Sequence, residues 1–129
     1  MTRACRIVVA DDYQDTAESL AMLLRLTGHQ VFVAETGTEA LALIERERPE
    51  IALVDIGMPE LDGYQIARAV RSQSWGEDIC LIAITGYGTA MDRAAALDAG
   101  FDEHWRKPID LAALDELIGE PCGRRTAAT

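Results

Sequence analysis

The chain of 129 residues contains few cysteines, few aromatic residues and a single lysine, Lys107. No apolar run approaches the roughly 18 residues of a membrane-spanning helix, and there is no signal-peptide pattern. The three cysteines form no CxxC pair. Two of them, Cys5 and Cys80, lie in or beside apolar runs, which indicates core thiols rather than metal ligands. We therefore expect no membrane contact and a reducing compartment, the cytoplasm.

Basic residues are also scarce. Twelve lysines and arginines stand against 22 acidic residues, which gives a net charge of -10. Such a surface lacks the basic face that a phosphate backbone requires, so we expect no direct contact with nucleic acid. A hydrophobic fraction of 49% with 26% charged residues indicates one globular domain. We expect this domain to cover residues 1–118, and residues 119–129 to be a tail or the start of a linker.

Short apolar runs alternate with helical periodicity five times along the chain. The first, third and fourth runs are nearly all apolar, which is typical of parallel strands covered on both faces. Gly28 and Gly100 stand where helix C-terminal caps belong, Thr36 and Glu39 form a capping-box pattern, and Asp110 precedes the last helix. Five consecutive βα units predict an α/β fold with an open, doubly wound parallel sheet. The predicted strands cover residues 6–10, 31–34, 51–55, 79–84 and about 103–106.

The notable polar residues all lie at or just past the ends of predicted strands. These are Asp11 and Asp12 after the first strand, Asp55 at the end of the third, Thr85 after the fourth and Lys107 after the fifth. The carboxyl ends of parallel strands share one edge of the sheet, where ligands bind in open α/β folds. A single aspartate at a strand end is more often a turn former or a helix cap. Five such positions at one edge favour a functional site.

Three carboxylates at one edge repel each other by roughly 4 kcal/mol per pair at about 4 Å in an effective dielectric near 20. A proton or a hard cation relieves that repulsion, and all-oxygen donors favour Mg²⁺, or Mn²⁺ as a substitute, over zinc. Lys107 would then act as a point charge on one phosphoryl oxygen, and the Thr85 hydroxyl would donate to another. Asp55 ends a central strand and is the best candidate to accept the phosphoryl group as an aspartyl phosphate.

Four segments resemble the receiver domain of two-component response regulators, and the resemblance covers residues 5–118. They are VVADD (8–12), LVDIGMPELDGYQIAR (53–68), AITGYG (83–88) and AGFDEHWRKPID (99–110). The resemblance implies a flavodoxin-like (βα)₅ fold with strand order 2-1-3-4-5. It also implies that Asp55 is the phosphoacceptor of a phosphorelay, and that Asp12, Asp55 and the backbone carbonyl of Gly57 bind Mg²⁺, with Asp11 joining partly through water.

The same resemblance implies partners and a switch. The phosphoryl donor is expected to be a phosphohistidine of a histidine kinase or of a phosphotransfer protein. Thr85 and Lys107 are expected to contact the phosphate and to shift the surface of the fourth helix, fifth strand and fifth helix between two packings. That surface would bind a downstream protein or, after phosphorylation, a second copy of the chain. No enzymatic turnover is expected beyond self-catalysed phosphoryl uptake and autodephosphorylation.

Three positions depart from the family pattern. His104 stands three residues before Lys107, where relatives commonly carry Tyr or Phe, so it is either a pH-sensitive switch residue or a surface histidine beside a half-buried Trp105. Gly57 stands where many relatives carry a side chain that tunes phosphate lifetime. Tyr87 is either a shield of the acyl phosphate against water or a loop aromatic packed on the rim.

Three rival functions are weaker. A Mg²⁺-dependent phosphatase acting through an aspartyl phosphate needs a cap insert and a general acid at the position of Gly57, and the chain has neither. A nucleotide-binding domain is disfavoured because GxxxxGK[ST] is absent and GYGTAM (86–91) lacks the third glycine of GxGxxG. A receiver that serves only as a scaffold is disfavoured because all five site residues are present. The sequence leaves open the cognate kinase, the output pathway and whether a hybrid kinase carries this domain.

Overall fold

The structure is a computed structural model that describes residues 5–58, 60–86, 90–107, 109–110, 112–114 and 116. Strands and helices alternate along the chain. In order they are β1 (Arg6–Ala10), α1 (Gln14–Leu26), β2 (Gln30–Ala34), α2 (Gly37–Glu47), β3 (Ile51–Asp55), α3 (Gly63–Arg71), a 3₁₀ turn (Ser74–Gly76), β4 (Cys80–Thr85), α4 (Ala90–Ala99) and β5 (Glu103–Arg106). Residues 112–114 and 116 are helical and belong to the predicted fifth helix. No helix in the described ranges is both long and apolar enough to cross a bilayer.

The five strands form one parallel sheet in the order β2-β1-β3-β4-β5, as predicted. The bounds of the first, third and fifth strands are also as predicted, and the second begins one residue earlier than predicted, at Gln30. The fourth strand was predicted one residue too early, since it begins at Cys80 and includes Thr85. Ile79 lies just before the strand, and its carbonyl accepts a hydrogen bond from the Arg71 guanidinium at 2.7 Å. Thr85 is paired in register with Arg106, which makes it the last residue of a central strand.

Both faces of the sheet are covered, because neighbouring strand residues point to opposite sides. On one side Ile7 and Val9 pack with Leu20 and Leu24 of α1 and with Leu114 of the fifth helix. On the other side a second apolar layer packs beneath α2, α3 and α4. Its largest fully buried members are Val8, Ile44, Val54, Ile66 and Leu81. This explains why the inner strands are apolar without alternation.

Helix ends follow the sequence with one correction. Thr36 caps α2 by accepting from the N–H of Glu39, but the Glu39 carboxylate bonds the N–H of Glu35 rather than that of Thr36, so the predicted capping box is only half formed. Asp62 and Gln65 form a complete capping box at α3. Asp110 accepts from the N–H of Ala112, so it begins the fifth helix as expected.

Arg71 at the end of α3 ties the amino ends of β4 and β5 together. Its guanidinium donates to the carbonyls of Gly76, Ile79 and Gly100 and pairs with the Asp102 carboxylate at 2.8 Å. Asp102 also accepts from the N–H of Leu81 at 2.8 Å. Both charged side chains are mostly buried, and each is satisfied by several hydrogen bonds. These contacts join the amino ends of β4 and β5, at the opposite edge of the sheet from Thr85 and Lys107.

Candidate functional site

The carboxyl edge of the sheet carries all five polar residues predicted for the site. Asp11 directly follows β1, and its N–H is held by the carbonyl of Ala34 at the end of β2. Asp55 is the last residue of β3. Thr85 is the last residue of β4, and its carbonyl accepts from the N–H of Lys107 at 2.8 Å, which fixes where the lysine leaves β5. Backbone pairing therefore determines how these residues are placed.

The three carboxylates converge as predicted. Asp11, Asp12 and Asp55 each offer an oxygen, and these oxygens lie within 4.8 Å of one another. Asp11 is buried, Asp55 is largely buried and Asp12 is exposed, so the cluster opens to solvent on the side of Asp12. Three carboxylate oxygens with an open side form a donor set suited to a hard divalent cation such as Mg²⁺, which keeps several waters. The residues present therefore fit the ion that the sequence predicts.

Lys107 bridges two of the acids. Its Nζ lies 2.7 Å from Oδ2 of Asp55 and 2.9 Å from Oδ2 of Asp11. The sequence predicted this ammonium for a phosphoryl oxygen, and the structure shows it on the carboxylates. Burial lowers the pKa of Lys107, but its hydrogen bonds to Asp55 and Asp11 and their charges outweigh that effect, so the pKa is raised. The lysine is therefore a fixed positive charge that partly neutralises the cluster.

The pKa of Asp11 is raised above the usual value of an aspartate. Burial raises its pKa, and the charge of Asp55 adds to that increase. Its Oδ1 accepts from the N–H of Tyr13 at 2.9 Å, and Lys107 lies on the other oxygen, so these two contacts oppose the increase only in part. A neighbouring cation would favour its ionised form.

Asp55 has one oxygen oriented by the backbone and one by the lysine. Oδ1 accepts from the N–H of Gly57 at 2.9 Å, and Oδ2 lies against Lys107. A Cβ built at Gly57 would lie 3.8 Å from Oδ1, so a side chain at that position would stand beside the carboxylate. A Cβ at Gly63, by contrast, would lie 2.8 Å from Cα of Ile56, so only glycine lets α3 begin so close to the acidic residue.

The departures from the family pattern have different outcomes. His104 lies opposite Ala83 in the sheet and is half-buried, and its Nε2 is buried without a hydrogen-bond partner. Burial lowers the pKa of this imidazole, with a smaller opposing effect from Asp92 of α4. Tyr87 lies outside the described residues, as does the predicted tail at 119–129, and those predictions stand as they were made.

The sequence analysis missed a cavity of about 440 Å³ beside the acids. Its wall includes Leu20 and Leu23 of α1, Ile109 after β5, and both Asp11 and Lys107. The sequence indicated this cavity only indirectly, because Leu23 is an apolar residue of α1 outside the buried face of the helix. Leu23 is 45% exposed.

Comparison with known proteins agrees with this geometry. The family model of the response regulator receiver domain matches residues 7–119. An uncharacterized 14.6 kDa protein of Leptolyngbya boryana is 40% identical over 116 residues, which cover 90% of this chain and 88% of that protein. The response regulator MprA of Mycobacterium sp. (strain KMS) is 40% identical over 113 residues, 88% of this chain but 47% of the relative. The chain thus spans about half the length of the MprA relatives it matches.

Solved structures give the same result. The response regulator receiver domain protein (CheY-like) of Methanospirillum hungatei has a TM-score of 0.87 and 29% identity, covering 98% of this chain and all of that one. The receiver domain of sensor histidine kinase PA1611 of Pseudomonas aeruginosa has a TM-score of 0.84 and 29% identity, covering 94% and 99%. That structure holds a magnesium ion in its active-site cleft. The family model, the relatives, the strand order and the acidic edge of the sheet all agree. This chain belongs to the response regulator receiver domain family of two-component signalling.

Proposed function

We propose that the chain takes a phosphoryl group onto Asp55 from a phosphohistidine of a histidine kinase or of a phosphotransfer protein, in the cytoplasm, with Mg²⁺ as cofactor. The observation that carries this proposal is the convergence of three carboxylates and one ammonium. Their oxygens lie within 4.8 Å of one another, and Lys107 lies 2.7 Å from Asp55. Lys107 pairs with both Asp55 and Asp11, so three carboxylates face one ammonium, and a divalent cation would balance the remaining negative charge.

Asp11, Asp12, Asp55 and the backbone carbonyl of Gly57 would hold the ion, and Mn²⁺ meets the same oxygen donors. The magnesium ion in the cleft of the PA1611 receiver domain supports this choice. When bound, Mg²⁺ neutralises charge on the carboxylates and on the phosphoryl oxygens.

Asp55 serves as the nucleophile. One of its oxygens forms a bond to phosphorus while the bond from phosphorus to the donor nitrogen breaks, and the donor imidazole keeps the bonding electrons. Lys107 moves from carboxylate to phosphoryl oxygen, and the Thr85 hydroxyl contacts another oxygen. Positioning and charge neutralisation provide most of the catalysis. Water later forms a bond to phosphorus, the bond between phosphorus and the Asp55 oxygen breaks, and inorganic phosphate leaves. Asp55 is then a carboxylate again, so the chain hydrolyses only its own phosphoryl group and acts on no separate substrate.

Phosphorylation replaces the single charge of the Asp55 carboxylate at the end of β3 with a dianionic phosphoryl group, beside Thr85 at the end of β4. Thr85 moves toward the phosphoryl group and biases the surface of α4, β5 and the fifth helix. His104 lies in β5 within that surface, with its unpartnered Nε2, and serves as the switch residue. A downstream protein, or a second phosphorylated copy, binds there. Gly57 and Tyr87 set how long the phosphate lasts.

Intact-mass spectrometry tests the proposal. The protein is incubated with acetyl phosphate or carbamoyl phosphate, with and without Mg²⁺. We expect a phosphate-sized mass gain that requires Mg²⁺ and disappears in Asp55→Asn. The matched control is Asp78→Asn, which removes an exposed aspartate at the opposite end of the sheet, just before β4, and should keep the mass gain.

The outcomes separate the alternatives. A mass gain that survives Asp55→Asn would show that another residue accepts the phosphoryl group. A mass gain that does not depend on Mg²⁺ would remove the cation from the proposal. Transfer from a purified phosphohistidine protein to the chain, followed by loss of the label in Asp55→Asn, would establish the donor class.

A further inference from the structure

The cavity beside the acidic cluster has the size and lining of a small-molecule site. Its volume of about 440 Å³ falls within the range of roughly 300–1,000 Å³ that ligand pockets occupy. Leu20, Leu23, Ile84 and Ile109 give it an apolar wall. Leu23 is a large apolar side chain that is 45% exposed, so an occupant would bury surface that now meets water.

Two residues connect this cavity to the phosphoryl site. Asp11 and Lys107 line the cavity, and they also belong to the acidic cluster, where Nζ of Lys107 lies 2.7 Å from Asp55. Among the lining residues that the structure describes, the others are apolar apart from Thr16. Lys107, Leu20 and Leu23 line the same cavity, so a molecule whose phosphoryl group binds Lys107 could place its apolar part against the two leucines.

On the basis of the function proposed above, we infer that this cavity binds the leaving group of a free phosphoryl donor. The donor class is an acyl phosphate whose acyl group carries an aromatic ring or a branched apolar chain. An oxygen of Asp55 forms the bond to phosphorus, and the bond between phosphorus and the acyl oxygen breaks. The acyl group leaves as a free carboxylate that keeps the bonding electrons. The Asp55 carboxylate and the acyl phosphate thus become an aspartyl phosphate and a free carboxylate, with no change in total charge.

The negative charge of the chain explains why a phosphoryl donor would need an apolar contact in order to bind. The chain carries a net charge of -10, which opposes the approach of a dianionic donor. A donor with a methyl group, such as acetyl phosphate, has little surface with which to offset that repulsion. A donor with a ring gains from burial against Leu23 and Ile109, so the cavity should select among donors that carry the same phosphoryl group.

Two donors and two leucine variants test the inference. The pseudo-first-order rate of Asp55 phosphorylation is measured by intact mass with acetyl phosphate and with benzoyl phosphate, in Mg²⁺. The variant Leu23→Gln changes the cavity wall. Its control, Leu26→Gln, changes an exposed leucine on the same helix, 77% exposed and outside the cavity lining. Urea unfolding checks that both variants fold.

We expect benzoyl phosphate to react about tenfold faster than acetyl phosphate in the wild type and in Leu26→Gln, and this ratio to fall several-fold in Leu23→Gln. The ratio cancels any change in the reactivity of Asp55, and comparison between variants cancels the intrinsic reactivity of each donor. As a second measurement, benzylphosphonate, which cannot transfer its phosphoryl group, should shift the methyl NMR signals of Leu23 and Ile109 more than methylphosphonate does.

An equal rate ratio in all three proteins would overturn the inference, as would an absence of methyl shifts with benzylphosphonate. These failures differ from failure of the proposed function. If acetyl phosphate modifies Asp55 but the ratio does not respond to Leu23→Gln, only the role of the cavity is wrong. If neither donor modifies Asp55 in the presence of Mg²⁺, the proposed function fails as well.

Discussion

Replacing Lys107 with methionine should reveal competition between the lysine and Mg²⁺ for the same acids. Methionine keeps the length of the side chain and removes its charge. The ammonium now lies 2.7 Å from Asp55 and 2.9 Å from Asp11, contacts that are each about 6 kcal/mol of gross Coulomb attraction at an effective dielectric near 20. Desolvation cancels most of that, and the Lys107 side chain retains 29% of its exposure. We therefore expect a net loss of about 2–3 kcal/mol of unfolding free energy without Mg²⁺.

The same substitution should strengthen Mg²⁺ binding. Lys107→Met removes the ammonium that bridges the carboxylates of Asp11 and Asp55. Mg²⁺ then binds these carboxylates without displacing a positive charge and without repulsion from it. We expect the dissociation constant for Mg²⁺ to fall by about tenfold or more, so that saturating Mg²⁺ stabilises the variant by at least about 1.4 kcal/mol more than it stabilises the wild type.

Urea unfolding at pH 7 with and without Mg²⁺ measures both quantities. Arg106→Met is the matched control, because it removes the same charge from the exposed neighbouring residue and should leave the Mg²⁺ effect unchanged. Equal stabilisation by Mg²⁺ in the wild type and in Lys107→Met would refute the reasoning, since it would mean that the lysine and the ion do not share ligands.

Three further perturbations follow from single contacts. Arg71→Met removes a mostly buried ion pair and four carbonyl contacts and should lower the unfolding free energy by about 3–5 kcal/mol. The exposed Arg68→Met on the same helix should change it by less than about 0.5 kcal/mol. A similarly small loss in Arg71→Met would show that these contacts do not stabilise the amino ends of β4 and β5. His104→Phe removes a buried, unpartnered nitrogen and should stabilise by about 1 kcal/mol. Burial lowers the pKa of His104, so as pH falls the imidazole of the unfolded chain is protonated near the usual pKa of about 6.5, before that of the folded chain. The wild type should therefore lose stability as pH falls through that value. The stabilisation by His104→Phe should be larger at pH 6 than at pH 8. Equal gains at both pH values would show that the imidazole titrates freely. Gly57→Val places a side chain about 3.8 Å from the Asp55 carboxylate and should slow autodephosphorylation several-fold, measured as the decay of the phosphorylated mass; unchanged decay would exclude a shielding role.

The pattern of apolar runs was sufficient to predict a parallel sheet and the edge where the acids meet. Apolar runs ending in Asp11, Asp55 and Thr85 place those residues at one edge, because parallel strands share a direction. The strand order came from the resemblance to receiver domains, and the sheet confirms it. The start of β4 was misplaced by one residue because Ile79 is apolar like its neighbours, and the contact of its carbonyl with Arg71 has no sequence signature.

Side-chain partners were harder to predict. The bridge from Lys107 to both Asp11 and Asp55 depends on distances across the sheet that no periodicity encodes. The cavity depends on how α1 sits against the segment after β5, which is tertiary packing. The capping box of Asp62 and Gln65 was visible as an acidic residue followed three positions later by glutamine, and it was overlooked. The unpartnered nitrogen of His104 has no sequence signature.

The location of the phosphoryl group tests the central claim most directly. The protein is treated with acetyl phosphate and Mg²⁺, the acyl phosphate is reduced with borohydride, and the peptides are sequenced by tandem mass spectrometry. Reduction converts a phosphorylated aspartate to homoserine. We expect homoserine at position 55 alone and none when Mg²⁺ is omitted. Homoserine at Asp11 or Asp12 with position 55 intact would show that Asp55 is not the phosphoacceptor.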